Sequence, residues 1–173
     1  MKTLIFFLTL LSTLNIMAQD GKASTERKTF SRETSVSIRI EASPAIIWSL
    51  MTQANDFARW NSTIVSMEGE IVEGGKIALV STVDPKRTFK LKVKSITPEQ
   101  EMIWGSGAAP FFKGTRTYRL SQESEGVYTF YMSEKIGGLM FPMAAGSIPS
   151  FDESFSQFAA DLKQEAEAIE AGN

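Results

Sequence analysis

The sequence predicts an α+β domain in which a curved, seven-stranded antiparallel sheet grips one long C-terminal helix. Three observations carry this reading. First, over 150–171 the residues Phe151, Phe155, Phe158, Leu162, Ala166 and Ile169 recur at steps of four and three, which places them on one helical stripe. Second, the chain between them and residue 64 contains only short alternating runs separated by Gly- and Pro-containing turns, and short connections make antiparallel neighbours. Third, a first alternating run near residue 34 is followed by two short helical stretches before the other strands begin.

In order, Val36, Ile38 and Ile40 alternate with Ser35, Ser37, Arg39 and Glu41, the pattern of a half-buried strand. Ser43-Pro44 then opens a helix, Ser as N-cap and Pro in the first turn, and that helix carries Ile47, Trp48, Leu50 and Met51. A second short helix over 55–60 sets Phe57 and Trp60 on one face. Six strands follow, over 64–71, 76–83, 88–96, 101–106, 114–122 and 127–136. Glu73-Gly74-Gly75, Asp84-Pro85, Thr97-Pro98 and Glu123–Gly126 supply turns between them. The apolar, Gly/Pro-punctuated segment 137–149 is a candidate lid. Ser150 followed by Glu153 predicts a capping box at the start of the final helix.

Residues 1–18 read as a signal peptide: Lys2, an apolar run over 4–14, and a small residue, Ala18, before Gln19. The run is shorter than the roughly 20 residues of a membrane span and is interrupted at Asn15. The expectation is an exported protein, periplasmic or secreted, with no integral membrane segment after cleavage. Polar residues 19–33 then form a flexible leader and 34–171 the domain. Asn61-Ser62-Thr63 fits a glycosylation triplet, a weak signal.

Composition narrows the chemistry. The 173 residues contain no Cys and no His, which removes thiolate nucleophiles, imidazole bases and Cys/His zinc sites. No spaced Asp cluster suggests an oxygen-only metal site, and nothing calls for a cofactor. The net charge of −2 argues against a nucleic-acid partner. A monomer is the expectation. Lys86, Arg87, Lys90, Lys92 and Lys94 form a basic outer stripe, read as a solvated sheet face or a lipid-headgroup contact.

The runs IEASPAIIWSLMTQANDFARWNSTI, GTRTYRL, YTFYMSEKIGGLM and FSQFAADLKQEAE resemble the SRPBCC superfamily, which includes polyketide cyclase-like proteins, START lipid-transfer domains and birch-pollen-allergen-like proteins. The resemblance covers residues 34–170 and rests on loose hydrophobic signatures that carry the fold. It implies a helix-grip fold with an internal cavity between sheet and long helix, filled by a hydrophobic or amphipathic small molecule or lipid. The longer glycine-rich loop of the plant branch is missing.

Strand parity selects the inward face. It gives Phe89 and Leu91; Met102 and Trp104; Arg116 and Tyr118; and Tyr128, Phe130, Met132 and Glu134. Trp60, Met140 and Phe141, with Phe151, Phe155 and Phe158 on the helix, complete the set of candidate ligand contacts. For each apolar member two readings stand, ordinary core or cavity wall. Arg116 and Glu134 are inward charges on neighbouring strands, and burial requires them to meet. They are either a polar anchor inside the cavity or a solvated pair at its rim. Two functions follow. The leading one is a non-catalytic carrier or sensor of a hydrophobic molecule. The alternative is a cyclase- or dehydratase-like enzyme acting on a polyketide-like or aromatic substrate, in which Arg116 steadies an enolate and Glu134 or a tyrosine moves protons. A partner-binding module with a closed core is a third possibility.

Overall fold

The final helix, α4 (Asp152–Ala171), lies across the concave face of an eight-stranded antiparallel sheet in the computed structural model, which describes residues 21–172. The proposed signal peptide therefore falls outside the described residues. The strands are β1 (Ser24–Lys28), β2 (Ser31–Ile40), β3 (Ile64–Gly69), β4 (Lys76–Ser81), β5 (Thr88–Thr97), β6 (Glu101–Ala108), β7 (Phe112–Ser124) and β8 (Val127–Gly137). Their order is β1-β2-β8-β7-β6-β5-β4-β3. Two short helices, α1 (Pro44–Thr52) and α2 (Phe57–Trp60), the latter preceded by a 3-10 turn over Ala54–Asp56, connect β2 to β3. A third, α3 (Phe141–Ala144), lies in the connection from β8 to α4 and runs into a 3-10 turn at Ala145–Ser147.

The six expected strands and the first alternating strand all form. The count is eight because part of the expected leader is structured. Ser24–Lys28 pairs residue for residue with Ser31–Ser35. No hydrophobic alternation marks this segment, since an edge strand held by a hairpin and by polar contacts does not need it. The Thr25 hydroxyl shares a 2.7 Å hydrogen bond with Thr34 Oγ1 and donates to Asp152 Oδ1 at 2.6 Å, and Ala23 N donates to Ser156 Oγ at 2.9 Å. The edge is thereby fastened to the first turns of α4.

The apolar stripe of α4 packs as its spacing requires: Phe155, Phe158, Leu162 and Ala166 are buried, with Phe151 and Ile169 half-buried at its ends. Phe158 is the hub. Its ring lies 5.8 Å from Trp60 edge-on and 6.3 Å from each of Phe57, Tyr118 and Phe130. The polar face of α4 is tied to the chain as well. Glu167 and Glu170 accept from the backbone amides of Glu41 and Ser43, Asp161 accepts from Ser62, and Lys163 Nζ donates to the Arg39 carbonyl. The capping box does not form. The helix begins at Asp152, and Ser150 Oγ contacts the Asp152 carboxylate at 2.7 Å instead of reaching a third-residue amide. Asn61 is buried and its amide donates to the Phe158 carbonyl at 3.3 Å, so the triplet at 61–63 is a structural corner.

Two stability outcomes follow. Phe158→Ala removes the ring shared by four aromatic neighbours and is expected to cost about 3–5 kcal/mol in denaturant unfolding. Asp152 is held below its ordinary value of 3.8, first by the Thr25 hydrogen bond, then by Ser150 and the nearby Arg32 and Arg27, against a burial effect of opposite sign. A depressed carboxyl stabilises the fold above its unfolded value and loses that contribution as pH falls through its folded one. The stability gap between wild type and Asp152→Asn should therefore be full at neutral pH and close as pH drops below about 3.8. A gap that stays constant down to acid unfolding would count against the Thr25 contact.

Candidate functional site

Between the sheet and the N-terminal half of α4 lies a cavity of about 530 Å³. Its wall is formed by the inward positions of β4–β8, its roof by Phe151, Ser154, Phe155 and Phe158 of α4 and its lead-in, and its near end by Met140, Met143, Ala144 and Ser147–Pro149. A cavity of this size suits a small organic molecule or a lipid chain. Its exposed lining residues, Arg87, Met140, Met143, Ser147 and Pro149, lie on the β4–β5 turn and the connection around α3, which places the opening there.

Arg116 and Glu134 sit on the cavity wall, cross-strand partners on β7 and β8. Arg116 Nε donates to Glu134 Oε2 at 2.6 Å, with side-chain exposures of 16% and 13%. The pair is therefore inside the cavity and not at a solvated rim. The Arg116 guanidinium stacks over the Phe155 ring, 5.1 Å from its centroid, so its second face meets a π-surface. Burial alone would lower the Arg116 pKa, but the charge of Glu134 and the Tyr118 hydroxyl beside it more than offset this and hold the guanidinium above its ordinary value. Tyr118 is pushed up to about 12, chiefly by burial, with the Arg116 charge opposing. Gly114, also on the wall, makes this packing possible: a Cβ there would lie 2.9 Å from Ser106 Oγ and 3.0 Å from Glu134 Oε1.

Of the residues singled out by parity and helical spacing, nine line the cavity: Phe89, Leu91, Arg116, Met132, Glu134, Met140, Phe151, Phe155 and Phe158. Seven do not. Trp60, Met102, Trp104, Tyr118 and Phe130 face inward as expected but are buried core, packed where Phe158 closes the space behind the cavity. Trp104 and Tyr118 meet edge-on at 4.9 Å, and Tyr118 and Phe130 lie 6.3 Å apart, which fills that layer. The indole N–H groups of Trp60 and Trp104 have no oxygen partner among the described residues, and each ring meets an aromatic neighbour edge-on instead. Tyr128 stands at the opposite end of the sheet, across from Ile40, and Phe141 is buried without lining the cavity. Parity reports the face of a strand; depth along it depends on where α4 crosses, which no single strand encodes.

Other lining residues carried no strong sequence signal. Leu79 and Ser81 share an inward parity on β4, which the alternation there shows in retrospect. Arg87 belongs to the expected outer basic stripe, yet its guanidinium lies 4.8 Å over the Phe89 ring at the opening. Lys90, Lys92 and Lys94 do face outward. Arg32, in the stretch expected to be flexible, is buried and donates to the carbonyls of Ile148 and Pro149 at 3.2 and 2.7 Å while stacking on Phe151 at 4.9 Å. It pins the segment that closes the cavity.

Residues 31–167 match the model of the family described as polyketide cyclase / dehydrase and lipid transport, and the chain belongs to that family. Solved structures agree on the fold. A START superfamily protein from Mycobacterium smegmatis is 14% identical, with 79% of this chain and 98% of that chain covered and a TM-score of 0.58. A truncated norcoclaurine synthase from Thalictrum flavum is 10% identical, with coverages of 80% and 95% and a TM-score of 0.59. A conserved protein of unknown function from Enterococcus faecalis is 15% identical, with coverages of 86% and 78% and a TM-score of 0.60. No curated protein matches the sequence. Among the described residues no helix is long and apolar enough to cross a membrane.

The buried pair can be weighed against an internal control. Arg119 and Glu101 make the same Nε to Oε2 contact at 2.6 Å on exposed side chains, 56% and 34% accessible. A double-mutant cycle on Arg119 and Glu101 should give a coupling of about 0.2–1 kcal/mol. At the buried pair, Glu134→Leu alone should cost about 3–5 kcal/mol because it strands a charge, and adding Arg116→Met should restore part of that loss. Equal couplings at the two sites would show that the cavity wall is as wet as the outer face.

Proposed function

We propose that the chain is an exported binding protein that holds a hydrophobic or amphipathic small molecule, or a lipid chain, in the cavity under α4. The observation that carries this reading is a cavity of about 530 Å³ whose largely apolar wall holds a part-buried ion pair, Arg116 and Glu134. Apolar walls supply the driving force, and a buried charge pair fixes the orientation of a polar end such as a carboxylate, phenol or ketone. Because Arg116 reaches Glu134 through Nε only, the rest of its guanidinium and Glu134 Oε1 lie outside that contact. Family membership and the amino-terminal sequence support the ligand class and the export, respectively.

A carrier fits these groups better than a cyclase-like enzyme. A general base has to exchange its proton near the working pH. Glu134 accepts a 2.6 Å hydrogen bond from a guanidinium held charged, and Tyr118 is pushed up to about 12 and lies behind the cavity wall. Tyr118 therefore stays protonated at neutral pH, and Glu134 Oε2 is engaged by the guanidinium rather than by a substrate proton.

Native mass spectrometry of protein purified from an exporting host, with denaturing extraction, tests both parts. The expected result is a chain beginning at Gln19 that carries one lipid or aromatic small molecule, with Arg116→Met and Glu134→Leu losing a carboxylate- or phenol-bearing ligand by about tenfold or more, the worth of a charged hydrogen bond. A bare mass that stays bare after exposure to fatty acids and polyketide-like aromatics would overturn it.

A further inference from the structure

The cavity opening coincides with an unusual surface. Seven large apolar side chains are exposed among the described residues, and five of them, Phe30 (55%), Phe111 (59%), Leu139 (64%), Met140 (47%) and Met143 (84%), belong to three turns at one end of the sheet. The register shows why they meet. Ser31 pairs with Gly137, and Gly137 with Lys113, so the β1–β2 turn, the β6–β7 loop and the exit from β8 lie side by side. Backbone hydrogen bonds lock them: Gly138 N to Phe30 O at 3.0 Å, Leu139 N to Pro110 O at 2.9 Å, and Met140 N to Phe111 O at 2.9 Å. Gly138, at φ +129°, sits at the junction, where a Cβ would come within 2.3 Å of the Phe111 carbonyl. Scattered apolar side chains are ordinary on a protein surface; five held together on a fixed frame are not.

Charge says what this end would meet. The chain as a whole is net negative at −2. Yet at this end of the sheet Lys86 and Arg87 of the β4–β5 turn and Lys113 near the start of β7 make no salt bridge among the described residues, and the one carboxylate of that turn is Asp84. A second copy of this chain would set these cations against the same cations across a two-fold contact, which is repulsive. Apolar side chains ringed by cations suit an interface of acyl chains and anionic headgroups.

The geometry points to this end of the sheet as a docking surface for anionic phospholipid bilayers, with Phe111, Leu139 and Met143 entering the interface and Lys86, Arg87 and Lys113 meeting the headgroups. Docked in this way, the cavity opens directly onto the bilayer. The purpose of the contact rests on the binding function proposed above; the contact itself does not.

Vesicle flotation of the chain from Gln19 onward, which contains every described element, tests it. Phosphatidylglycerol–phosphatidylcholine vesicles should carry the protein upward, and pure phosphatidylcholine vesicles should carry markedly less. Phe111→Asp/Leu139→Asp, two residues outside the cavity lining, should lower the partition coefficient about tenfold or more. Lys86→Glu/Lys113→Glu should lower it about fivefold or more per lysine and flatten the salt dependence. Unchanged melting temperatures would confirm that both variants are folded. Partitioning that ignores these substitutions, or no flotation with either lipid, overturns the proposal. So does a concentration-dependent dimer, seen in sedimentation and dispersed by Phe111→Asp/Leu139→Asp without any vesicle binding, because a second copy would then cover the face. Native mass spectrometry on the same samples separates the two ideas: a ligand-loaded chain that ignores vesicles ends only the docking surface, and an empty chain that floats ends only the cavity reading.

Discussion

The structure depends on how one helix is buried. The apolar stripe of α4 must close the concave face of a sheet far wider than a helix, and it does so unevenly. Around Phe158 the closure is tight, because Phe57, Trp60, Tyr118 and Phe130 bring their rings to it from α2, β7 and β8. One and two turns earlier the helix presents Phe155 and Phe151, and the sheet opposite presents charges and a glycine where bulk would be needed to fill the gap. The cavity is the space that remains. It follows from the placement of Arg116, Glu134 and Gly114 on its wall as much as from the apolar side chains that line the rest of it.

Two arginines packed against the N-terminal end of α4 each use an aromatic ring of that helix or its lead-in as a second partner. Arg116 lies over Phe155 and Arg32 over Phe151, at 5.1 and 4.9 Å. An arginine has a planar, weakly hydrated head that can stack while its edge donates hydrogen bonds, which a lysine cannot do as well. Arg32 therefore couples three things at once: the second strand, the carbonyls of Ile148 and Pro149 that close the cavity, and the stripe of α4. Thr25, Thr34 and Asp152 form a parallel chain one strand further out. The first strand thus matters to the cavity, although it touches none of it.

Most of the fold was legible because the fold is mostly hydrophobic periodicity. The stripe over 151–169 and the alternation in β2 through β8 each encode an element locally, and short turns leave little freedom in how neighbours pair. What local pattern cannot carry is anything that depends on two distant segments together. Ser24–Lys28 is a strand only because Ser31–Ser35 and α4 receive it, so its polar sequence reads as leader. The capping box at Ser150 and Glu153 was a sound local expectation, displaced because Asp152 finds Thr25. The site divides the same way. The pairing of Arg116 with Glu134 followed from burial and parity alone, whereas Trp104 and Tyr118 share that parity and still belong to the core, because α4 crosses the sheet at Phe158 and not one turn later.

The cost of the ion pair is the strongest reason to connect the cavity with function. A leucine and a methionine of similar size would pack the same wall, and replacing a buried ion pair with apolar residues is often neutral or stabilising by about 1–4 kcal/mol. The fold already has an arginine–glutamate pair of identical contact distance on its outer face, where such a pair is nearly free. Placing another inside carries a desolvation cost that neither strand pairing nor the aromatic cluster needs for its own sake. Charges kept in an apolar cavity against that cost are best accounted for by something that enters the cavity and meets them. The same reasoning applies at the opening, where exposed Met143 and Leu139 carry a solubility cost that a bilayer or a ligand would remove. Both features lie along one path, from the rim past Arg87 and Phe89 to Arg116, which is the order in which the proposed amphipathic ligand would meet them if it entered head first.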